Sequence, residues 1–172
     1  MKEAEELTSQ VGKARMDGEG KYLTFFLADE EYGIGILKVK EIIGMMTITH
    51  VPQTPEYVKG VVNLRGKVIP VVDLRLKFGM NPIDYTERTC IIVVEIVNAG
   101  KTIPMGIVVD SVSEVLNIKG GDIEAPPSFG TNLKTEFIRG MAKMGSSVKI
   151  LLDIDLVLAD EETGIIQNDE VG

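Results

Sequence analysis

The chain has 172 residues, a hydrophobic fraction of 44% and a formal net charge of −8, enough material for one substantial core or two small ones. No apolar run approaches bilayer-spanning length and the charged N-terminus lacks a signal-like segment, so a cytoplasmic protein without direct membrane insertion is expected. A single cysteine, Cys90, excludes an internal disulfide, and its apolar neighbours favour a small buried hydrophobe over a reactive thiol. The charge sits in the ends. Residues 1–20 carry five acids and three bases, and residues 160–172 carry five acids and no base. The remainder is nearly neutral and offers neither a basic face nor aromatic platforms, which argues against nucleic acid as a partner.

In chain order, residues 1–20 are polar and read as a flexible tail. Strands are predicted at Tyr22–Leu27 and Tyr32–Ile34, with Asp29-Glu30-Glu31 as the corner between them. Glu41–Ile48, Gly60–Leu64 and Lys67–Val72 follow, the last two joined at Arg65-Gly66, where glycine supplies positive φ. A helix start is predicted at Thr54-Pro55-Glu56-Tyr57, with Gly60 as its stop. Asp73 should cap one turn through Leu74, Leu76 and Phe78, ended by Gly79. Further strands are expected at Cys90–Val97, Ile103–Val109, Glu114–Ile118, Gly140–Met144 and Ser147–Leu152. Asp153 or Asp155 should cap a last helix leading into an acidic tail, residues 160–172.

These elements occur twice. Ile34/Ile107, Ile36/Val109, Val39/Val112, Ile42/Val115 and Ile43/Leu116 coincide, as do Glu41/Glu114 and Gly33/Gly106. Tyr57 through Gly60 aligns with Phe137 through Gly140, and Val68 through Leu74 with Val148 through Ile154. Such self-similarity indicates duplication. Features kept by both copies belong to the fold, and features of one copy are candidates for function. The expected architecture is all-β: two small barrels packed against each other, with a few short helices. The first barrel falls mainly in 21–85 and the second in 86–159, with strands free to be exchanged at the ends. Copies this small should share apolar surface, and the seam between them is a natural groove.

No catalytic or metal constellation emerges. One histidine, His50, has no nucleophile or orienting carboxylate by sequence motif, and one His with one Cys cannot make a zinc set. Gly33-Ile34-Gly35 lacks the third glycine and following helix of a dinucleotide site. No cofactor is expected. The comparison of copies points instead to Arg65, which faces Gly145 in the second copy; arginine suits interfaces, and Glu41 is a plausible ion-pair partner. The run Ile42-Ile43-Gly44-Met45-Met46-Thr47-Ile48 reads either as core or as an adaptable binding surface.

Three stretches carry a family resemblance: Glu31 through Ile42, Pro55 through Gly66, and Ile69-Pro70-Val71-Val72-Asp73-Leu74-Arg75. With Gly106 through Val112, they closely resemble the CheW coupling proteins of bacterial chemotaxis, from about Lys21 to Leu158. The resemblance implies two five-stranded SH3-like β-barrels packed side by side, forming a non-enzymatic adaptor, monomeric alone, that joins the cytoplasmic tip of chemoreceptors to the regulatory domain of the histidine kinase CheA within membrane receptor arrays. It places receptor binding at Val39, Glu41, Gly60, Arg65, Ile91 and Val115. Kinase contact is assigned to Ile43, Met45, Met46 and Arg65. The alternatives are a coupling module of a receiver-fused protein or the regulatory domain of a kinase.

Overall fold

The computed structural model describes residues 18–127 and 136–159; the flexible tail expected over 1–20 therefore falls almost wholly outside the described residues, as does the acidic tail from 160 onward. Eleven strands form among the described residues: β1 (Gly20–Leu27), β2 (Glu30–Gly35), β3 (Val39–Gly44), β4 (Val58–Leu64), β5 (Lys67–Asp73), β6 (Cys90–Asn98), β7 (Lys101–Val109), β8 (Ser111–Ile118), β9 (Ile123–Glu124), β10 (Ile138–Met144) and β11 (Ser147–Leu152). Two short helices, α1 (Leu74–Lys77) and α2 (Ile154–Leu158), follow β5 and β11. Their caps are the duplicated aspartates: Asp73 accepts from the Leu76 amide and Asp153 from the Leu156 amide. Each thereby satisfies an N–H that the first helical turn leaves open.

The strands make two sheets, ordered β8-β1-β2-β11-β10-β9 and β3-β6-β7-β5-β4. The sheets do not follow the two copies. Each copy's opening hairpin is inserted into the other copy's sheet: β1-β2 lies between β8 and β11, and β6-β7 lies between β3 and β5. The exchange is reciprocal down to the pairing. β2 runs parallel to β11 with Gly33 opposite Leu151, and β7 runs parallel to β5 with Gly106 opposite Val71. Whole hairpins are thus exchanged, whereas the sequence division at 85/86 tracks the copies. We refer to the two sheets as the Arg65 barrel, which contains β3 to β7, and the Lys149 barrel.

Both sheets curl towards closure through short joints rather than full ladders. In the Arg65 barrel Thr49 and Val61 exchange backbone hydrogen bonds of 2.8 and 2.9 Å. In the Lys149 barrel the two-residue β9 pairs with β10, making that sheet six-stranded instead of five-stranded. Gly60 sits where the first joint closes. Its φ is +139°, and a Cβ there would lie 2.0 Å from the Thr49 carbonyl oxygen. This joint also explains why no helix forms at Thr54–Gly60. Val58–Gly60 is drawn into β4, which takes the residues that would continue a helix from Thr54. Residues 54–57 make a turn, with Val58 N donating to Pro55 O and Thr54 Oγ1 to Val51 O. β3 ends at Gly44, short of the expected Ile48, because the chain there bends towards Thr49.

The main core lies between the sheets and takes side chains from both, among them Phe25, Ile34, Val72, Leu74, Ile92, Ile107, Leu152 and Leu158. Through it runs a file of stacked rings, Phe25, Tyr32, Phe78 and Phe137, with centroids 6.0, 6.0 and 5.5 Å apart. Each barrel also has its own interior, built on Val62, Leu64, Ile69, Val71, Ile91, Val93 and Val108 in one and on Tyr22, Ile118, Ala142 and Leu151 in the other. Alternate residues of β6 serve different cores: Ile92, Val94 and Ile96 face the seam, while Ile91 and Val93 face the barrel. Cys90 packs against the seam core, and burial pushes its thiol pKa up, which disfavours the reactive thiolate.

Ion pairs hold the exchanged hairpins at their tips. Asp110 Oδ2 accepts from the Ala28 amide at 2.7 Å and from Arg75 Nη1 at 2.6 Å. At the matching place in the other half, Asp155 Oδ1 accepts from the Val97 amide and from Lys38 Nζ, both at 2.9 Å. The signs are reversed on the helices, since Arg75 on α1 corresponds to Asp155 on α2.

Candidate interaction site

The Arg65-Gly66 corner joins β4 to β5 with φ values of +52° and +87°, the pattern of a type I′ hairpin turn. Gly66 adopts it freely, but an arginine in that region costs on the order of 1 kcal/mol. The second copy has Gly145 at the Arg65 position, with φ +64°, and so avoids the strain. Asn63 secures the corner by accepting from the Gly66 amide at 2.8 Å. Arg65 reaches across to β3 and donates through Nη2 to Glu41 Oε2. The guanidinium remains 68% exposed while Glu41 is largely covered. The hydrogen bond to Glu41 and its charge raise the Arg65 pKa further above an already high value. The arrangement presents a charged donor fork at a fixed place on the surface.

Beside the pair lies a depression of about 200 Å³ in the mouth of the Arg65 barrel. Leu64, Ile69, Val93 and Pro104 form its apolar lining, and Lys40, Glu41, Arg65 and Lys67 its rim. The same mouth in the Lys149 barrel is built differently. Superposing the two strand registers puts Lys149 at the Ile69 position, Glu31 at that of Pro104 and Thr24 at that of Val93. Lys149 Nζ binds Glu31 Oε1 at 2.7 Å, and Thr24 Oγ1 donates to Glu114 O and accepts from Glu114 N. Burial pulls the Glu31 pKa upward, but the hydrogen bond from Lys149 and the Lys149 charge outweigh it and hold it below the ordinary value. One mouth is an apolar socket with a charged rim. The other is plugged by an ion pair.

The predicted partner-binding residues do not form one contiguous patch. Val39, Glu41 and Arg65 lie together on β3 and the neighbouring corner. Ile91 is on the adjacent strand opposite Ile43, but it is fully buried in the barrel interior. Gly60 is buried at the closing joint. Val115 lies on β8 of the other barrel and is 51% exposed. Its duplicate Ile42 is also exposed, so β3 and β8 carry matching surface apolar residues. Ile43, Met45 and Met46 are half-buried and pack against the interior of the Arg65 barrel, as does Ile48. Sequence reasoning missed Lys40, Lys67, Ile69 and Pro104. Ile69 opposite Lys149 was a visible signal, because a buried aliphatic and a lysine rarely share one duplicated position. Pro104 opposite Glu31 required the strand register.

Among the described residues no three His, Cys, Asp or Glu side chains cluster as metal ligands do, and no described helix is long and apolar enough to cross a membrane.

Comparison with known proteins is consistent with this geometry. The CheW-like domain family matches residues 21–162. The chain belongs to that family. "Chemotaxis protein CheW" of Klebsiella aerogenes is 43% identical over 148 residues, covering 86% of this chain and 87% of the relative. The protein of the same name in Bacillus subtilis is 31% identical over 144 residues, covering 83% and 89%. Among solved structures, the scaffolding protein TtCheW of Thermoanaerobacter tengcongensis superposes with a TM-score of 0.72 at 37% identity, over 84% of this chain and 95% of that one. The two-barrel β architecture expected from the duplication, and its SH3-like character implied by the resemblance, agree with this CheW scaffold structure.

Proposed function

We propose that the chain is a non-enzymatic chemotaxis adaptor that couples chemoreceptors to the histidine kinase CheA. It acts in the cytoplasm and is recruited to receptor arrays at the membrane. The observation that carries the reading is the Arg65–Glu41 pair at an apolar mouth present in only one of two duplicated halves. The family relatives, named as chemotaxis and scaffolding proteins, supply the process.

Val39, Glu41, Arg65 and Val115 offer side chains to a receptor tip. Gly60 and Ile91 serve the same contact as positioning residues, because one holds the closing joint and the other supports β3 from inside the barrel. Ile43, Met45 and Met46, with Arg65, offer the kinase regulatory domain a compliant apolar edge. The chain works by holding two macromolecules at once. Each standard interface buries roughly 1,200–2,000 Å² in total, and a second contact on the same small body raises the effective concentration of the third component.

The test is titration of purified receptor tip and of CheA regulatory domain against the wild-type chain and Arg65→Ala. The variant is expected to keep its melting temperature within about 2 °C, since exposed surface pairs add little to stability. Its affinity for at least one partner should fall about tenfold. Unchanged affinity for both partners sinks the assignment of Arg65.

A further inference from the structure

The socket of the Arg65 barrel has a chemistry that selects its occupant. Its lining, Leu64, Ile69, Val93 and Pro104, takes an aliphatic side chain, and its volume of about 200 Å³ suits one or two branched groups. Its rim brings three bases, Lys40, Arg65 and Lys67, against Glu41, and Glu95 approaches Lys40 at 3.6 Å. The rim is therefore positive in a protein whose net charge is −8. A segment with adjacent aliphatic residues flanked by carboxylates complements it in both respects.

The chain itself contains such a segment. After Ala159 the sequence runs Asp160-Glu161-Glu162-Thr163-Gly164-Ile165-Ile166-Gln167-Asn168-Asp169-Glu170, with two isoleucines between two acidic clusters and no base. It follows α2, whose first turn is tied to residues near the socket rim. Asp155 on α2 binds Lys38 and the Val97 amide. Lys38 and Val97 are each two positions along the chain from Lys40 and Glu95, which pair at the rim. Two strand residues cover about 7 Å, and the stretch from Ala159 to Ile165 spans up to roughly 20 Å when extended. The Lys149 barrel offers no second place for the segment, because its mouth is filled by the Glu31–Lys149 pair.

The geometry points to Ile165-Ile166 docking in the mouth of the Arg65 barrel of the same molecule, with the flanking acids on Lys40, Arg65 and Lys67. The contact covers Arg65, so it competes with partners at that residue; this consequence alone rests on the function proposed above.

The test uses the full chain without partners. Methyl resonances of Leu64, Ile69 and Val93 are compared between wild type and the double variant Ile165→Asp/Ile166→Asp, with Leu151 in the other barrel as the internal control. The socket methyls are expected to move while Leu151 stays, and the wild-type positions should not change on tenfold dilution. Lys67→Glu should move the same three methyls part of the way towards the double variant. Identical socket resonances in wild type and double variant overturn the proposal. A difference that fades on dilution overturns it too, because the occupant is then a second copy. A separate titration of CheA and receptor tip against the double variant reads the competition. Unchanged affinities there, with displaced methyls, remove only the competitive consequence.

Discussion

The two barrel mouths are built from corresponding strands in the same pairing, yet they differ at nearly every lining position. In the Lys149 barrel the lining is finished with an internal ion pair and a threonine bonded to backbone. In the Arg65 barrel the equivalent positions are aliphatic, and the corner residue carries a charge outward. One mouth is completed from within, and the other is left for something else to complete. The difference separates what the fold demands from what a partner demands, and it can be tested position by position.

The largest effect should come from the closing joints. Gly60→Ala puts a Cβ against the Thr49 backbone at a φ that side chains avoid, and it should cost about 3 kcal/mol or more. Gly140→Ala meets chiefly the movable Ile123 side chain, at 2.5 Å, and should cost about 1–2 kcal/mol. Denaturant melts of both variants check the order; equal costs would mean that the two joints close alike.

Next comes the plug. Lys149→Met leaves the Glu31 carboxylate without its cation in a largely covered site, at a cost of about 2 kcal/mol at neutral pH. The pH dependence carries the sign. Glu31 is held below its ordinary value of 4.5 in the folded chain, so its contribution is present above that value and is lost as pH falls through it and below. Wild type should therefore lose stability on acidification more steeply than Lys149→Met. A parallel pair of pH–stability curves contradicts the assigned role.

The smallest contrast concerns the inverted clamps. Asp110→Ala strands the well-covered Arg75 and frees the Ala28 amide, an expected loss of about 1–2 kcal/mol. Asp155→Ala releases the more exposed Lys38, for roughly 0.5–1 kcal/mol. Thermal melts of the two variants side by side rank the clamps.

Much of this was readable in the residues. The β-rich runs, the two capping aspartates and the Arg65-Gly66 corner each depend on local chemistry, so they emerge from sequence alone. The Glu41–Arg65 pair was also legible, because duplication marked Arg65 as unshared and β3 as its neighbour. The helix expected at Thr54 fails for a non-local reason: the Thr49 joint claims the residues that would extend it. Gly60 and Ile91 were assigned to partner contact by position, and their burial follows from closure and register, which no local pattern encodes. The sequence left room for strands exchanged at the ends, but which strands cross, and that they cross as whole hairpins, escaped for the same cause. A strand's composition declares that it wants neighbours but not which copy supplies them. The plugged mouth needed both copies in register before Pro104 and Glu31 could be seen as counterparts.

The crossed hairpins have one more implication. Neither half owns the strands that finish its own sheet, so a lone half could be completed only by another like it, at a concentration high enough to find one. Joining two such halves through residues 78–89 makes the encounter intramolecular and lets each half change without a matching change in its twin. Divergence between the mouths is what that tether permits.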